Sequence, residues 1–215
     1  MYCSEDCRSS SWNDNHFIDC SLLPTLQRLD ITEVSFLVMK LIIMMCKNKD
    51  FNNILALLKA EENLQNRDLN NKNLNSSDYS TIYWMECHTE KRDFCNLLKR
   101  SVTAACILHC IETMTDFFSG HDVSQFKYML GGLLLRHLQN LTCSAFGVKE
   151  MVKSNAEIDE LLNWEPGHIG AAVYVTLCLI NHSCNPNASQ TYVNGDSAKL
   201  YALRPVAAGE QVTLI

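Results

Sequence analysis

Residues 181–187 read Asn-His-Ser-Cys-Asn-Pro-Asn, "NHSCNPN", and follow directly on the apolar run "VYVTLCLI", residues 173–180. Three asparagines and a proline in seven residues are turn formers, and the run before them reads as a buried strand. The chain therefore leaves its core abruptly here and presents an amide and an imidazole, Asn181 and His182, at the exit. Downstream, "ASQTYVNGDSAKLYAL", residues 188–203, holds two β-rich runs around Asn194-Gly195. That dipeptide is a strong hairpin signal, because both turn residues must accept positive φ. "RPVAAGEQVTLI", residues 204–215, then predicts a turn at Ala208-Gly209 and a last strand.

Upstream the period changes. "FNNILALLKAEENLQ", residues 51–65, places Ile54, Leu57, Leu58 and Glu61 at helical intervals, and "LLKRSVTAACILHCIETMTDFF", residues 97–118, continues that spacing. Between them "NRDLNNKNLNSSDYS", residues 66–80, reads as an exposed loop. "FKYMLGGLLLRHLQNL", residues 126–141, predicts another helix despite Gly131 and Gly132, each of which costs about 1 kcal/mol against alanine. The charged stretch "HTEKRDF" reads as a solvated helix start. The fold class is α+β, a helical middle region followed by a small β-sheet core.

The chain has 215 residues, 47% of them apolar, enough for a packed core. A net charge of −6 argues against direct nucleic-acid binding. The longest apolar run, Val34–Cys46, is interrupted by Lys40 and is shorter than the ~20 residues of a membrane span. The opening "MYCSEDCRSS" lacks a signal pattern, so a soluble intracellular protein without membrane contact is expected. Eleven cysteines in such a setting point to metal ligands or buried thiols rather than disulfides.

"YCSEDCRSSSWNDNHFIDC" carries Cys3, Cys7, His16 and Cys20, spaced C-x3-C-x8-H-x3-C. Thiolates and imidazole suit zinc, and pairs two to four residues apart reach one ion from a turn or helix start. The competing reading is a chance grouping in a cysteine-rich chain. This segment resembles the second half of a MYND zinc finger, with its "YCS" start, its tryptophan and its closing H-x3-C. The resemblance implies that Cys3 and Cys7 belong to one ion and His16 and Cys20 to another, two ligands each; the four could also converge on one ion.

"INHSCNPN" resembles the motif that SET-domain lysine methyltransferases place beside S-adenosylmethionine. With "LLRHLQNLTCSAFGV" upstream and "YSTIYWMECHTEKRDF", residues 79–94, the chain is similar to the SET-and-MYND (SMYD) family, nearest its fourth vertebrate member and arthropod relatives. That resemblance implies residues 1–21 as the C-terminal half of a MYND finger, 22–140 as a helical SET insertion and 141–215 as an incomplete SET core. It implies S-adenosylmethionine as methyl donor, zinc as structural metal and a protein lysine, histone or non-histone, as acceptor. Asn181 and His182 are its cofactor contacts, and Ser144 stands where many relatives carry a cofactor-binding asparagine. Serine is shorter and offers a single hydroxyl. Asn185, Pro186 and Asn187 are expected to shape a turn that packs under a later segment.

The family's glycine-rich cofactor cradle and channel tyrosine would lie before Met1 and after Ile215. The expectation is therefore a segment cut at both ends, poor as a catalyst, with no catalytic residue assigned. Tyr174 and Tyr201 do not match the tyrosine's position. By resemblance Cys184 joins a further zinc with partners beyond Ile215, and is expected here as a free or buried thiol. Cys106 and Cys110, with His109 between, read as core residues. His88, His121, His137 and His168 read as surface or satisfied histidines. A Cys-His hydrolase built on Cys184 and His182 lacks an oxyanion-type glycine loop.

Two other functions compete: a non-catalytic MYND/SET scaffold in transcriptional regulation, docking proline-containing peptides, and an unstable product with exposed core. Nucleus and cytoplasm are both expected residences.

Overall fold

The computed structural model describes residues 4–46, 79–119, 123–153, 164–193 and 197–215. The helix expected over 51–65 lies outside the described residues, as do most of the 66–80 loop, Cys3, His121 and the turn Asn194-Gly195. Contacts divide the chain into two compact units, Met1–Cys143 and Ser144–Ile215.

The first unit is helical. Helix α1 (Glu5–Ser11) starts where Ser4 Oγ accepts the Cys7 N–H at 3.1 Å, and it buries no residue. A π-helical turn, Trp12–His16, leads into α2 (Phe17–Arg28). No apolar residues recur at helical intervals from Glu5 to Ser11, and the reason that a helix forms there is visible. Capping, the acidic first turn and the Glu5–Arg8 pair at 2.5 Å make α1, with no apolar stripe to betray it.

Helix α2 ends in a Schellman-type cap. Asp30 takes the left-handed conformation (φ 52°), its N–H reaches Gln27 O at 3.1 Å, and the Ile31 N–H reaches Leu26 O at 3.4 Å. Thr32 then caps α3 (Glu33–Cys46), its Oγ1 accepting the Ser35 N–H at 3.3 Å. Ser35, Val38, Met39, Ile42, Ile43 and Cys46 are buried, the three-four alternation of one helix face. On another face Lys40 Nζ meets the buried Asp19 carboxylate of α2 at 2.6 Å.

Helix α4 (Tyr79–Tyr83) occupies the end of the expected loop. After a 3-10 turn, Thr89–Lys91, the side chain of Asp93 accepts the Asn96 N–H at 2.7 Å and starts α5 (Phe94–Met114), so "HTEKRDF" is a helix start. By length and composition α5 alone among the described helices could cross a membrane. It nevertheless buries Ala104, Ile107, Cys110 and Ile111 in this unit, and the Arg100 guanidinium binds the Leu138 carbonyl of the next helix. Cys110 is a core thiol whose pKa burial raises, with Cys106 beside it adding to the rise.

Helix α6 (Val123–Ser144) runs unbroken through Gly131 and Gly132 because Leu130, Leu133, Leu134, Leu138 and Leu141 pack inward on both sides of them. Arg92 binds its Gln139 carbonyl at 2.9 Å, so two guanidinium groups meet carbonyls near its negative end.

His137 of α6 is fully buried and satisfied. Its Nε2 lies 2.6 Å from the Tyr79 hydroxyl and its Nδ1 3.2 Å from Asn140 Oδ1, while Asn140 Nδ2 donates to Ile82 O at 2.9 Å.

The second unit is a set of two-stranded sheets. Strands β1 (Phe146–Lys153) and β2 (Trp164–Ala172) pair antiparallel with an irregularity at Val148/Lys149. Strand β3 (Asn181–His182) pairs parallel with β6 (Thr213–Leu214), and β4 (Ala188–Val193) pairs antiparallel with β5 (Ser197–Ala202). The β4–β5 hairpin is thus formed, and the Ala208-Gly209 turn carries Gly209 at φ 84°, a conformation that suits glycine.

The run 173–180 is not the buried strand expected. Cys178 N–H bonds Tyr174 O at 3.0 Å and Ile180 N–H bonds Leu177 O at 3.0 Å, giving a 3-10 turn at Leu177–Leu179 with Leu179 exposed. A short, almost continuous apolar run carries no period by which strand and turn could be told apart.

Burial pushes the His137 pKa down to about 4; the Asn140 contact opposes that shift and Arg136 adds to it. The unfolded chain therefore binds a proton that the folded chain refuses, so stability is present above pH 6.5 and falls as pH drops toward 4. Urea titrations across that window should show a loss on the order of 3 kcal/mol from this group. His137→Gln should flatten that part of the profile, and an unchanged slope would contradict the assignment.

Candidate functional site: the Asn181–Asn187 exit

Two buried residues, Leu177 and Ala188, flank the polar stretch. They pack with Leu214, and Phe146, Tyr174, Ile180 and Ala198 close around them. The chain must leave this core after residue 180 and return to it at 188, and the polar residues between bridge that gap.

The backbone of the exit is held on one side by β6. Asn181 and His182 pair with Thr213 and Leu214, and the Ser183 N–H donates to Leu214 O at 2.7 Å. Ser183 Oγ accepts the Asn185 N–H at 3.2 Å, tightening the turn before Pro186. Both Asn181 and His182 are exposed.

Asn187 is almost completely buried. Its Nδ2 donates to Gln211 O at 2.8 Å and to Glu210 Oε1 at 3.0 Å, and its Oδ1 accepts the Thr213 N–H at 2.9 Å. Its carbonyl accepts the Leu203 N–H at 2.9 Å. The turn thus packs under the later segment, through hydrogen bonds rather than apolar contact.

Ser144 is the last residue of α6. Its carbonyl accepts the Cys178 thiol at 3.0 Å, and Cys178 lies three residues before Asn181. Burial raises that thiol to about 11, so it stays protonated and donates. The three residues expected beside the cofactor therefore lie in one unit, and a hydrogen bond ties the Ser144 segment to the turn that delivers Asn181. Cys184 Sγ lies 3.5 Å from His182 Nε2, exposed.

The sequence reading passed over Cys178 and Glu210. A thiol inside "VTLCLI" reads as one more apolar residue, and Glu210 reads as an ordinary turn charge. The signal that could have found Glu210 is its place directly after the left-handed Gly209.

At the N-terminus Cys7 and Cys20 are exposed, and His16 is half-buried with its ring edge-on to Trp12, centroids 6.0 Å apart. His16 and Cys20 are four residues apart on continuous helical backbone, one turn along it. No three His, Cys, Asp or Glu side chains gather as ion ligands among the described residues.

A family model described as SET domain matches residues 30–214. The chain belongs to the SET-domain family. Its relatives include the protein-lysine N-methyltransferase SMYD4 of Gallus gallus, 22% identical over 98% of this chain and 34% of the relative. The SMYD4 of Mus musculus is 21% identical over 98% of this chain and 31% of its own length. The histone-lysine N-methyltransferase SMYD3 of Mus musculus is 39% identical over 54 residues, 25% of this chain and 12% of the relative. The SMYD resemblance read from the sequence is borne out, and the chain spans about a third of the length of its SMYD4 relatives.

Proposed function

We propose that this chain is part of a protein-lysine N-methyltransferase that takes S-adenosylmethionine at the Asn181–His182 exit. The observation that carries the reading is the placement of these two exposed side chains at the end of β3, fixed by β6 and by the buried Asn187. The donor set fits such a cofactor. An amide, an imidazole and the Ser144 hydroxyl offer donors and acceptors for an adenine edge, a ribose and an amino-acid head group.

Bound there, the cofactor would supply a methyl group on a sulfonium for a neutral lysine amine. The protein's task is then to position and desolvate, not to form a covalent bond of its own. Asn181 and His182 hold the cofactor, Ser144 reaches it from the end of α6, and no catalytic residue is assigned. Since serine is shorter than asparagine, weak binding by this chain is proposed, and weak or no turnover. The acceptor is a protein lysine, histone or non-histone, in the nucleus and the cytoplasm. Neither a membrane nor direct nucleic-acid binding belongs to this proposal.

The N-terminal helices support a second, binding role. Trp12 and Phe17 are about half exposed, and Arg8, Ser9, Trp12, Asn13 and His16 line a groove. We read this as the half MYND finger, a docking place for proline-containing peptides that would also suit a non-catalytic scaffold in transcriptional regulation. Cys3 with Cys7, and His16 with Cys20, are the proposed zinc half-sites.

Calorimetric titration with S-adenosylmethionine tests the first reading. Weak, saturable binding is expected, and Asn181→Ala or His182→Ala should each lower affinity about tenfold, the loss of one or two polar contacts. Because both side chains are exposed, neither change should alter urea stability by more than about 0.5 kcal/mol. Affinities unaffected by both substitutions would overturn the site. Metal analysis of the folded chain should find one zinc or less, and two tightly held ions would contradict half-sites. Trp12→Ala should abolish binding of a proline-containing peptide; equal affinity would remove the docking role.

A further inference from the structure

Glu210 does more than close its own turn. Its Oε2 accepts the Ala207 N–H at 3.0 Å, and its Oε1 lies 3.0 Å from Asn187 Nδ2 and 2.7 Å from Arg204 Nη2. The Ala207 N–H first, then Asn187 and Arg204, hold its carboxyl down at about 2.

From Asn187 the contacts continue toward the exit. Asn187 Oδ1 takes the Thr213 N–H, and Thr213 is the residue that pairs with Asn181. The carbonyl of the next residue, Leu214, accepts the Ser183 N–H. A two-residue parallel pairing has few bonds of its own to fix its register. Something outside β3 and β6 must help, and Asn187, on the chain that continues from β3, reaches across to Gln211 and Thr213 on the β6 side, while Glu210 binds its amide.

We propose that Glu210 is a positioning residue whose carboxylate, acting through Asn187 and Thr213, sets the placement of Asn181 and His182 and so the affinity for the methyl donor. The second half of that statement rests on the cofactor reading above; the first half does not.

Chemistry makes the claim specific to the carboxylate. In Glu210→Gln one oxygen remains, and the new amide group must face either the Ala207 N–H or the Asn187 Nδ2, a donor against a donor. One of the two contacts is lost and Asn187 is freed to turn. Arg204→Gln removes the ion pair and leaves both of those bonds in place. Glu210→Asp keeps the charge on a shorter arm and should restore part of the effect.

The test is amide hydrogen exchange at Ser183 in the full chain, with calorimetric S-adenosylmethionine titration alongside. Glu210→Gln should speed Ser183 exchange and weaken the donor's binding, each about tenfold, the worth of one charge-assisted hydrogen bond. Arg204→Gln should leave both near the unsubstituted values. If Glu210→Gln does not fold, Glu210→Asp carries the test, with smaller changes in the same direction. A residue that supported only its own turn would speed exchange at 204–210 and leave Ser183 as it was, and that result overturns the proposal. Faster Ser183 exchange with undiminished affinity keeps the latch and removes its effect on the cofactor. If the unsubstituted chain binds no donor, the cofactor reading fails while the Ser183 result still decides the latch.

Discussion

A single buried amide, that of Asn187, ties the segment that follows residue 180 to the segment around residue 213. Buried polar groups must find partners, and the Asn187 side chain finds its partners on residues more than twenty positions downstream, at Glu210, Gln211 and Thr213. Those bonds join two segments that meet in only two strand residues each. Apolar packing at Leu177, Ala188 and Leu214 brings the segments near one another but does not select a register, because it lacks direction. Hydrogen-bond geometry supplies the direction. With register fixed, Asn181 and His182 are held in the open.

The same division of labour recurs in the helical unit. Its core is an ordinary leucine and isoleucine interior, yet α6 is oriented by polar contacts: His137 to Tyr79, Asn140 to the Ile82 carbonyl, and Arg136 to the Tyr83 carbonyl at 2.8 Å. The Arg136 guanidinium also stacks 4.3 Å from the Tyr83 ring. Arg92 and Arg100 hold carbonyls in the last turns of the same helix.

The helices and the hairpin were legible because their signals are periodic or local. Residues 97–118 carry apolar residues at helical intervals, and β4 and β5 flank a turn dipeptide. The exit itself was legible from residue types, since amides and proline after an apolar run leave few alternatives. Three features were not. Helix α1 has no buried face, so no stripe could reveal it. The 173–180 run is apolar in turn and strand alike. Cys178 and Glu210 act on groups distant in sequence, through the Ser144 carbonyl and the Asn187 amide, and no spacing rule within one element encodes such contacts. The zinc reading drew on spacing and on the MYND resemblance, and among the described residues no three such side chains gather.

The central claim is that the methyl donor sits against the polar exit after residue 180. Ultraviolet cross-linking of radiolabelled S-adenosylmethionine to the folded chain, followed by peptide mapping, addresses it most directly. The label should fall within residues 174–187 or beside Ser144, and excess unlabelled S-adenosylhomocysteine should suppress it. Label confined to the helices before residue 140, or label that the competitor leaves untouched, would contradict the account.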